Sequence, residues 1–371
     1  MRILHISSAR SLGGGERHLA DLANALARRG HEVYAALRPR SPLGAELTEV
    51  PAENIFAVRL RNALDLGSAH ALARFVRARR IEVVHAHVAR DYPLAAMACW
   101  RNRRAKLIVT RHVLFRLNRL HTLTLARASR VIAVSRAVER ALLAQKILRP
   151  RKVTVIPNGI DFRRFDADVD AFDREEFRRR LKVAPGSFLV GTVGELKRQK
   201  GQEDFLRAAA VVARDDGSTH FVIAGADAGH RGEHRAALER LSAELQLKNR
   251  VSFTGWVEEV APLLRALDVY VSASHTESFG LAIVEAMAAG LPVVTTATAG
   301  AREIVRDEET GLVVPVGDHE ALAAAVLRLL NSENERARLG RAASAVARER
   351  FSLDRMVDAT EQVYKAVVSD E

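Results

Sequence analysis

The stretch HTESFGLAIVEAMAAG, His275 to Gly290, sets two carboxylates, Glu277 and Glu285, around a Ser-Phe-Gly-Leu turn that reads as a helix start. The N–H groups of a first helical turn lack intrahelical partners and favour an anion, so Ser278, Phe279, Gly280 and Leu281 form a candidate phosphate seat. If the whole interval were helical, the two acids would stand about 12 Å apart and about 80° around the axis. Glycosidase pairs work at roughly 5 to 9.5 Å across one bond, so this pair suits the two ends of one extended ligand better. Hydroxyls at both ends with phosphates between them describe a nucleotide sugar.

Two further loops carry the chemistry a diphosphate needs. GTVGELKRQKGQEDF, Gly191 to Phe205, places Lys197, Arg198 and Lys200 after a glycine turn and before a helix. Each phosphate oxygen removed from water needs a donor or a cation. SLGGGERHLA, Ser11 to Ala20, offers three consecutive glycines before another helix, which permits close backbone approach to an anion. It is neither GxGxxG nor a Walker lysine loop, and tight strand-to-helix turns use such glycines without any ligand. His85, His87 and His112 end apolar runs. The His-Ala-His spacing puts two imidazoles on one strand face, but no adjacent carboxylate or cysteine in the sequence completes a metal site, and none is expected. Asp166, Asp168 and Asp170 spell DxDxD but follow no strand, so they read as solvated acids. No GxSxG elbow is present.

These loops require strands to hold them. Short β-branched runs alternate with amphipathic helical stretches, the pattern of a parallel sheet covered on both faces. Strands are expected at RILHIS, HEVYAAL, EVVHAHV, KLIVTRH, RVIAVS and KVTVIPN, then at FLVGTVG, HFVIAGA, RVSFTGW, DVYVSAS, LPVVTTA and GLVVPV. The polar segment Pro157 to Gly186 separates the two series, and after Pro315 the chain reads as helix. The chain of 371 residues exceeds what one core usually organises. Two doubly wound, Rossmann-like α/β domains are expected, residues 1–165 and 166–351, with ligands beyond the carboxyl ends of the strands.

Composition narrows the function classes. Residues 1–165 hold 31 Lys/Arg against 11 Asp/Glu, a net of +20, and the remainder 26 against 34, a net of −8. Arg101 to Lys152 contains 15 basic residues and one acid, Glu139. Such a surface attracts phosphates, whether of an anionic membrane leaflet, an anionic substrate or nucleic acid. Aromatics make up only 5% of the chain and no nucleic-acid motif is present, which disfavours the last. The single Cys99 excludes an internal disulfide or a thiolate cluster. With no run long enough to span a bilayer, a cytoplasmic protein is expected, peripheral on the cytoplasmic face of a membrane.

In order and spacing, GGGERHLADLANALARRGHEV, VVHAH, VTRH, VIAVSRAVERALL, VIPNGIDFRRF, VGELKRQKG, VSFTGWV, ESFGLAIVEAMAAGLPVV and TGLVVPVGD resemble the family 4 glycosyltransferases. The likeness runs along nearly the whole chain. It implies the GT-B fold, with two such domains facing across a cleft and the C-terminal helix, residues 352–371, returning to the first. It implies transfer from a nucleotide sugar, UDP-sugars first by family frequency, with retention of anomeric configuration and without a metal or other cofactor. An anionic or membrane-associated acceptor, such as a lipid-linked or lipopolysaccharide-type glycan, fits the basic half. A nucleotide-sugar epimerase is the rival within the same fold.

Position by position, the resemblance implies that Glu285 holds the ribose and that Gly280 and Leu281 offer amides to the diphosphate. Lys200, helped by Arg198, neutralises the leaving phosphate. Glu277 and His112 attend the transferred sugar, and Gly14 closes over the phosphates or acceptor. Many members carry Arg where this chain has Glu195, so either Arg198 substitutes or Glu195 points away.

Overall fold

The computed structural model describes all residues except 147, 168–171, 228–231, 248 and 370–371. The chain divides into two units, Met1–Gly159 with Leu353–Glu371, and Ile160–Ser352. The runs rich in Val, Ile, Leu and Ala form strands whose pairings among the described residues are all parallel, and most of them are buried on both faces, as continuous apolar runs require.

In the first unit, β1 (Arg2–Ser7), β2 (Glu32–Leu37), β3 (Ile55–Ala57), β4 (Val83–Ala86), β5 (Lys106–Arg111), β6 (Arg130–Ala133) and β7 (Val153–Val155) form one sheet in the order β3-β2-β1-β4-β5-β6-β7. All six expected strands are present. The sequence reading lacked β3, a three-residue edge strand that stays half exposed and so leaves no apolar run. Strand order reverses between β1 and β4, where His5 lies directly opposite His85.

The last helix, Leu353–Ser369, belongs to this unit. Its apolar stripe of Leu353, Met356, Val357, Val363, Tyr364 and Val367 joins Leu19, Leu22 and Leu26 of the helix Gly14–Arg28 in one core. Burying an aliphatic side chain of this kind contributes roughly 1.5–3 kcal/mol. Arg29, at the end of the Gly14–Arg28 helix, pairs with Asp358 at 2.6 Å and Glu361 at 3.0 Å, and His31 bonds Glu361. The strand of chain leaving this unit and the one returning run side by side. Ile160 N–H donates to the Phe351 carbonyl at 2.9 Å, and Ile160 bridges Ser352.

In the second unit, β8 (Leu189–Val193), β9 (His220–Ala224), β10 (Val251–Gly255), β11 (Val269–Ser272), β12 (Val293–Thr296) and β13 (Leu312–Val314) run in the order β10-β9-β8-β11-β12-β13. The reversal falls between β8 and β11. Ligands in open parallel sheets bind beyond the strand ends at such a point. Of the Asp166-x-Asp168-x-Asp170 acids, Asp166 pairs with Arg348 at 2.6 Å, and Asp168 and Asp170 lie outside the described residues. Among the described residues no helix is long and apolar enough to cross a membrane.

Candidate functional site

The second unit gathers its polar loops at the β8/β11 reversal through close backbone approach. Gly201 follows the turn Arg198–Lys200 with φ +66°, and a Cβ there would stand 1.9 Å from the Ala273 carbonyl oxygen. A Cβ on Gly225, after β9, would stand 1.8 Å from the Gly194 carbonyl oxygen. Only glycine permits both approaches. His275 N–H then donates to Gln199 C=O at 2.9 Å, and His275 Nε2 lies 2.6 Å from Asp204. Gly300, after β12, donates to the Glu277 carbonyl at 3.1 Å. Four strand-end loops, after β8, β9, β11 and β12, are thereby tied into one assembly. Gly201→Ala is expected to destabilise this unit by several kcal/mol, because both a left-handed φ and a backbone clash must be relieved. Urea unfolding measures it; a loss below 1 kcal/mol would contradict this packing.

That assembly places Lys200 against Glu277. The ammonium lies 2.5 Å from Glu277 Oε1, which also accepts from Ser274 Oγ at 2.9 Å. The Lys200 stem covers the Gly194 turn, since a Cβ on Gly194 would meet its Cδ and Cε at 3.7 Å. Lys200, which the resemblance assigns to the leaving phosphate, and Glu277, which it assigns to the transferred sugar, are thus partners here. Arg198 is exposed. Glu195 bonds Lys197 at 2.5 Å, so its carboxylate is already balanced by a neighbouring cation.

The helix after this loop spans Leu281–Ala288, and Gly280 before it has φ +115°. The interval from Glu277 to Glu285 is therefore not one helix, and the 12 Å spacing expected for one does not apply. Gly280 and Leu281 N–H meet no acceptor among the described residues, whereas the Gly280 carbonyl accepts from Ile283 and Val284. Glu285 sits on the second turn and is buried. Beneath the loop, burial raises the Tyr270 phenol pKa far above its ordinary value, and the charges of Glu277 and Glu285 add to the shift. Both carboxylates therefore act on one buried ring.

The first unit concentrates histidine at its own strand-order reversal. The helix Gly14–Arg28 begins within the triple glycine, with Gly13 as its cap and Gly14 its first residue. A Cβ on Gly15 would meet the His112 ring at 3.7 Å. His5 Nδ1 lies 3.1 Å from His87 Nε2, and His85 bonds Tyr364 Oη at 2.6 Å and Thr110 Oγ1 at 2.7 Å. The His18 ring stands 4.8 Å from that of His112, and His85 4.2 Å from His87. The sequence reading found no residue to complete the His85/His87 pair. The fold supplies His5, His18 and His112, which are distant in sequence and contain no apolar-pattern signal of their convergence.

Burial keeps these imidazoles neutral. It lowers the His5 pKa to about 3, with the charge of His18 adding to the shift, and lowers His18 to about 4 against the opposing effect of Asn158. His85, His87 and His112 are pushed well below 6.5, first by burial and then by neighbouring histidine charge. Sequence reasoning also missed Asp91, whose Oδ2 accepts from Ser8 N–H at 2.7 Å. Burial raises its pKa to about 6, although hydrogen bonding to Ser8 opposes the shift.

Two doubly wound units, with polar loops collected at the reversal of strand order in each, define an open α/β architecture that binds ligands beyond its strand ends. Residues 12–164 match the family described as Glycosyltransferase Family 4, and residues 173–346 match Glycosyl transferases group 1. The chain belongs to glycosyltransferase family 4. It is 28% identical over 363 residues to the lipopolysaccharide core biosynthesis glycosyltransferase LpsE of Rhizobium meliloti, covering 97% of each chain. It is 34% identical over 255 residues to D-inositol 3-phosphate glycosyltransferase of Salinispora tropica, a match to 66% of this chain and 52% of that protein. The chain thus spans about half the length of that relative and of its Geodermatophilus obscurus counterpart, where the share is 54%. Among solved structures, Anabaena HepE in complex with UDP-glucose superposes with a TM-score of 0.88 at 24% identity, covering 99% of this chain and 100% of that one. WaaG, a glycosyltransferase involved in lipopolysaccharide biosynthesis, gives 0.74 at 18% identity, with 98% and 99% covered. These likenesses show the GT-B fold.

Proposed function

We propose that this chain transfers a sugar, with retention, from a nucleotide-sugar donor to an anionic or membrane-associated acceptor of the lipid-linked or lipopolysaccharide type. The observation that carries the reading is the Lys200–Glu277 pair near the Gly280 and Leu281 amides, which meet no acceptor among the described residues, at the strand-order reversal of the second unit. In this reading Gly280 and Leu281 donate to the diphosphate, Lys200 and Arg198 balance its charge, and Glu285 holds the ribose hydroxyls. Glu277 and His112 serve the transferred sugar, and Gly14 the phosphates or acceptor.

Departure of the nucleoside diphosphate builds negative charge on a phosphate oxygen while the sugar carbon becomes oxocarbenium-like. Preorganised cations and amides stabilise that oxygen most strongly at the moment the charge develops. The acceptor hydroxyl gives its proton to the departing phosphate, and no metal takes part. A UDP-sugar is the first donor to test, and the UDP-glucose bound by HepE supports that choice.

A panel of UDP-, GDP-, ADP- and dTDP-sugars, read by thermal stabilisation, tests the donor site, since a ligand stabilises by RT ln(1 + [L]/Kd). One nucleotide class should raise Tm, and Glu285→Ala should weaken that donor by about 10-fold or more. No stabilisation by any donor would defeat the reading. Release of an isomerised free sugar without acceptor would favour the epimerase.

Support for the acceptor class comes from the first unit. Trp100, Val113, Phe115, Leu120 and Leu123 are exposed in or beside the Arg101–Lys152 basic segment. Apolar side chains among cations suit the interface of an anionic bilayer, on the cytoplasmic face, where each nearby cation adds on the order of 1 kcal/mol.

A further inference from the structure

The histidines of the first unit contain a second arrangement, which shares only His112 with the sugar-transfer site proposed above. One ligand nitrogen each from His18, His87 and His112 lies within 4.8 Å of the other two. Both nitrogens of His18, Nδ1 of His87 and Nε2 of His112 are buried and have no hydrogen-bond partner among the described residues. Buried polar atoms left in this way cost free energy unless something binds them. A neighbouring triplet, His5, His85 and His87, also meets the distance condition. There, however, His85 spends both nitrogens on Tyr364 and Thr110, and His5 Nδ1 faces His87 Nε2. Metal binding in that triplet would break bonds already made.

We propose that His18, His87 and His112 form a binding site for a borderline divalent transition ion of the Zn²⁺ class, with a fourth position open to water. Neutral imidazole is the ligand form such ions take, and three histidines with one open position form a recognised zinc arrangement. Metal–nitrogen bonds of about 2.0 Å in a tetrahedron set the nitrogens roughly 3.3 Å apart, so the rings close inward by no more than about 1.5 Å. His87 has an outer partner in place. Ligation through Nδ1 leaves Nε2–H to donate to His5 Nδ1, the contact that orients metal-bound histidines elsewhere. His112 is the least buried member of the triplet, with the backbone of Gly15 close to its ring.

The ion is not a participant in transfer. It would occupy His112 and hold it from the sugar, so the occupied protein would transfer more slowly. That consequence rests on the role proposed for His112; the binding itself does not.

Chelator-stripped full-length protein titrated with Co²⁺ should develop the visible d–d absorption of a four-coordinate ion, saturating at one per chain and displaced by Zn²⁺. His18→Phe removes a ligand whose ring nitrogens form no close hydrogen bond among the described residues, Asn158 being its polar neighbour, so it should fold normally and lose the absorption. His112→Gln should do the same, with circular dichroism confirming the fold of both. Absence of saturable absorption in folded wild-type protein would overturn the site. Absorption that survives in the His18→Phe, His112→Gln double variant would also overturn it and assign the ion to other residues. In the transfer assay, Zn²⁺ should inhibit wild-type protein reversibly by chelator. Stoichiometric binding with undiminished transfer would overturn the inhibitory part alone and remove His112 from the sugar site.

Discussion

Lys200→Ala is expected to lower kcat/KM for sugar transfer by about 10²–10³, the loss typical of removing one preorganised group that meets charge in the transition state. Its ammonium sits 2.5 Å from Glu277 and over the Gly194 turn, held there by the Gly201–Ala273 approach rather than by its own flexible stem. The fold should survive, because the pair is partly open to water, with 27% and 12% of the two side chains exposed. Lys200→Arg keeps the charge but changes the shape of the donor group, so it should recover only part of the rate. A double-mutant cycle with Glu277→Ala should give losses that are less than additive, since the two residues share one contact. Steady-state kinetics on protein with an unchanged circular dichroism spectrum decides the matter. Near-normal turnover in folded Lys200→Ala protein would remove Lys200 from the phosphate site.

Acid should undo the first unit before the second. Each buried histidine there has a folded-state pKa below its unfolded value of 6.5, so the unfolded chain binds more protons between the two. Stability is therefore lost as pH falls through 6.5 toward about 4 for His18 and about 3 for His5. For His18 alone the shift corresponds to roughly 3 kcal/mol by pH 4. Asp91 acts in the opposite sense. Its pKa is raised from 3.8 to about 6, so the folded state holds the extra proton and gains relative stability as pH drops across that window. One such carboxyl opposes five histidines packed within a few ångströms of each other, and the net sign is destabilising. Hydrogen exchange between pH 7 and pH 4.5 should show β1, β4 and β5 losing protection while β8 and β11 retain theirs. Equal loss in both units, or undiminished protection in β1, would show that these imidazoles are not buried in neutral form.

The two sites were legible to different degrees, and for physical reasons. Parallel strands covered on both faces leave continuous apolar runs, so twelve of them could be read directly; β3, short and half exposed, leaves none. The residues around ESFG were legible because glycine, acid and helix signals fall within sixteen positions. Their geometry was not, since a single left-handed Gly280 replaces the helical spacing that would separate Glu277 from Glu285. The Lys200–Glu277 pair spans 77 residues and exists because β8 and β11 are neighbours, a fact of strand order. In the same way His5 and His85 become register partners only once β1 lies beside β4. Strand order is set by how whole units pack, and local periodicity does not encode it.

The side-by-side crossings at Ile160 and Ser352 have a consequence for biogenesis. On a ribosome the first sheet is complete by Val155, yet the helix that covers Leu19 and Leu22 is translated only after the 193 residues Ile160–Ser352. At typical elongation rates that interval lasts roughly ten to forty seconds. During it the second unit has its whole sequence available and can fold, while the earlier-made half waits with an apolar face uncovered. The unit made first is therefore finished last, and its dependence on chaperones should lie in that interval.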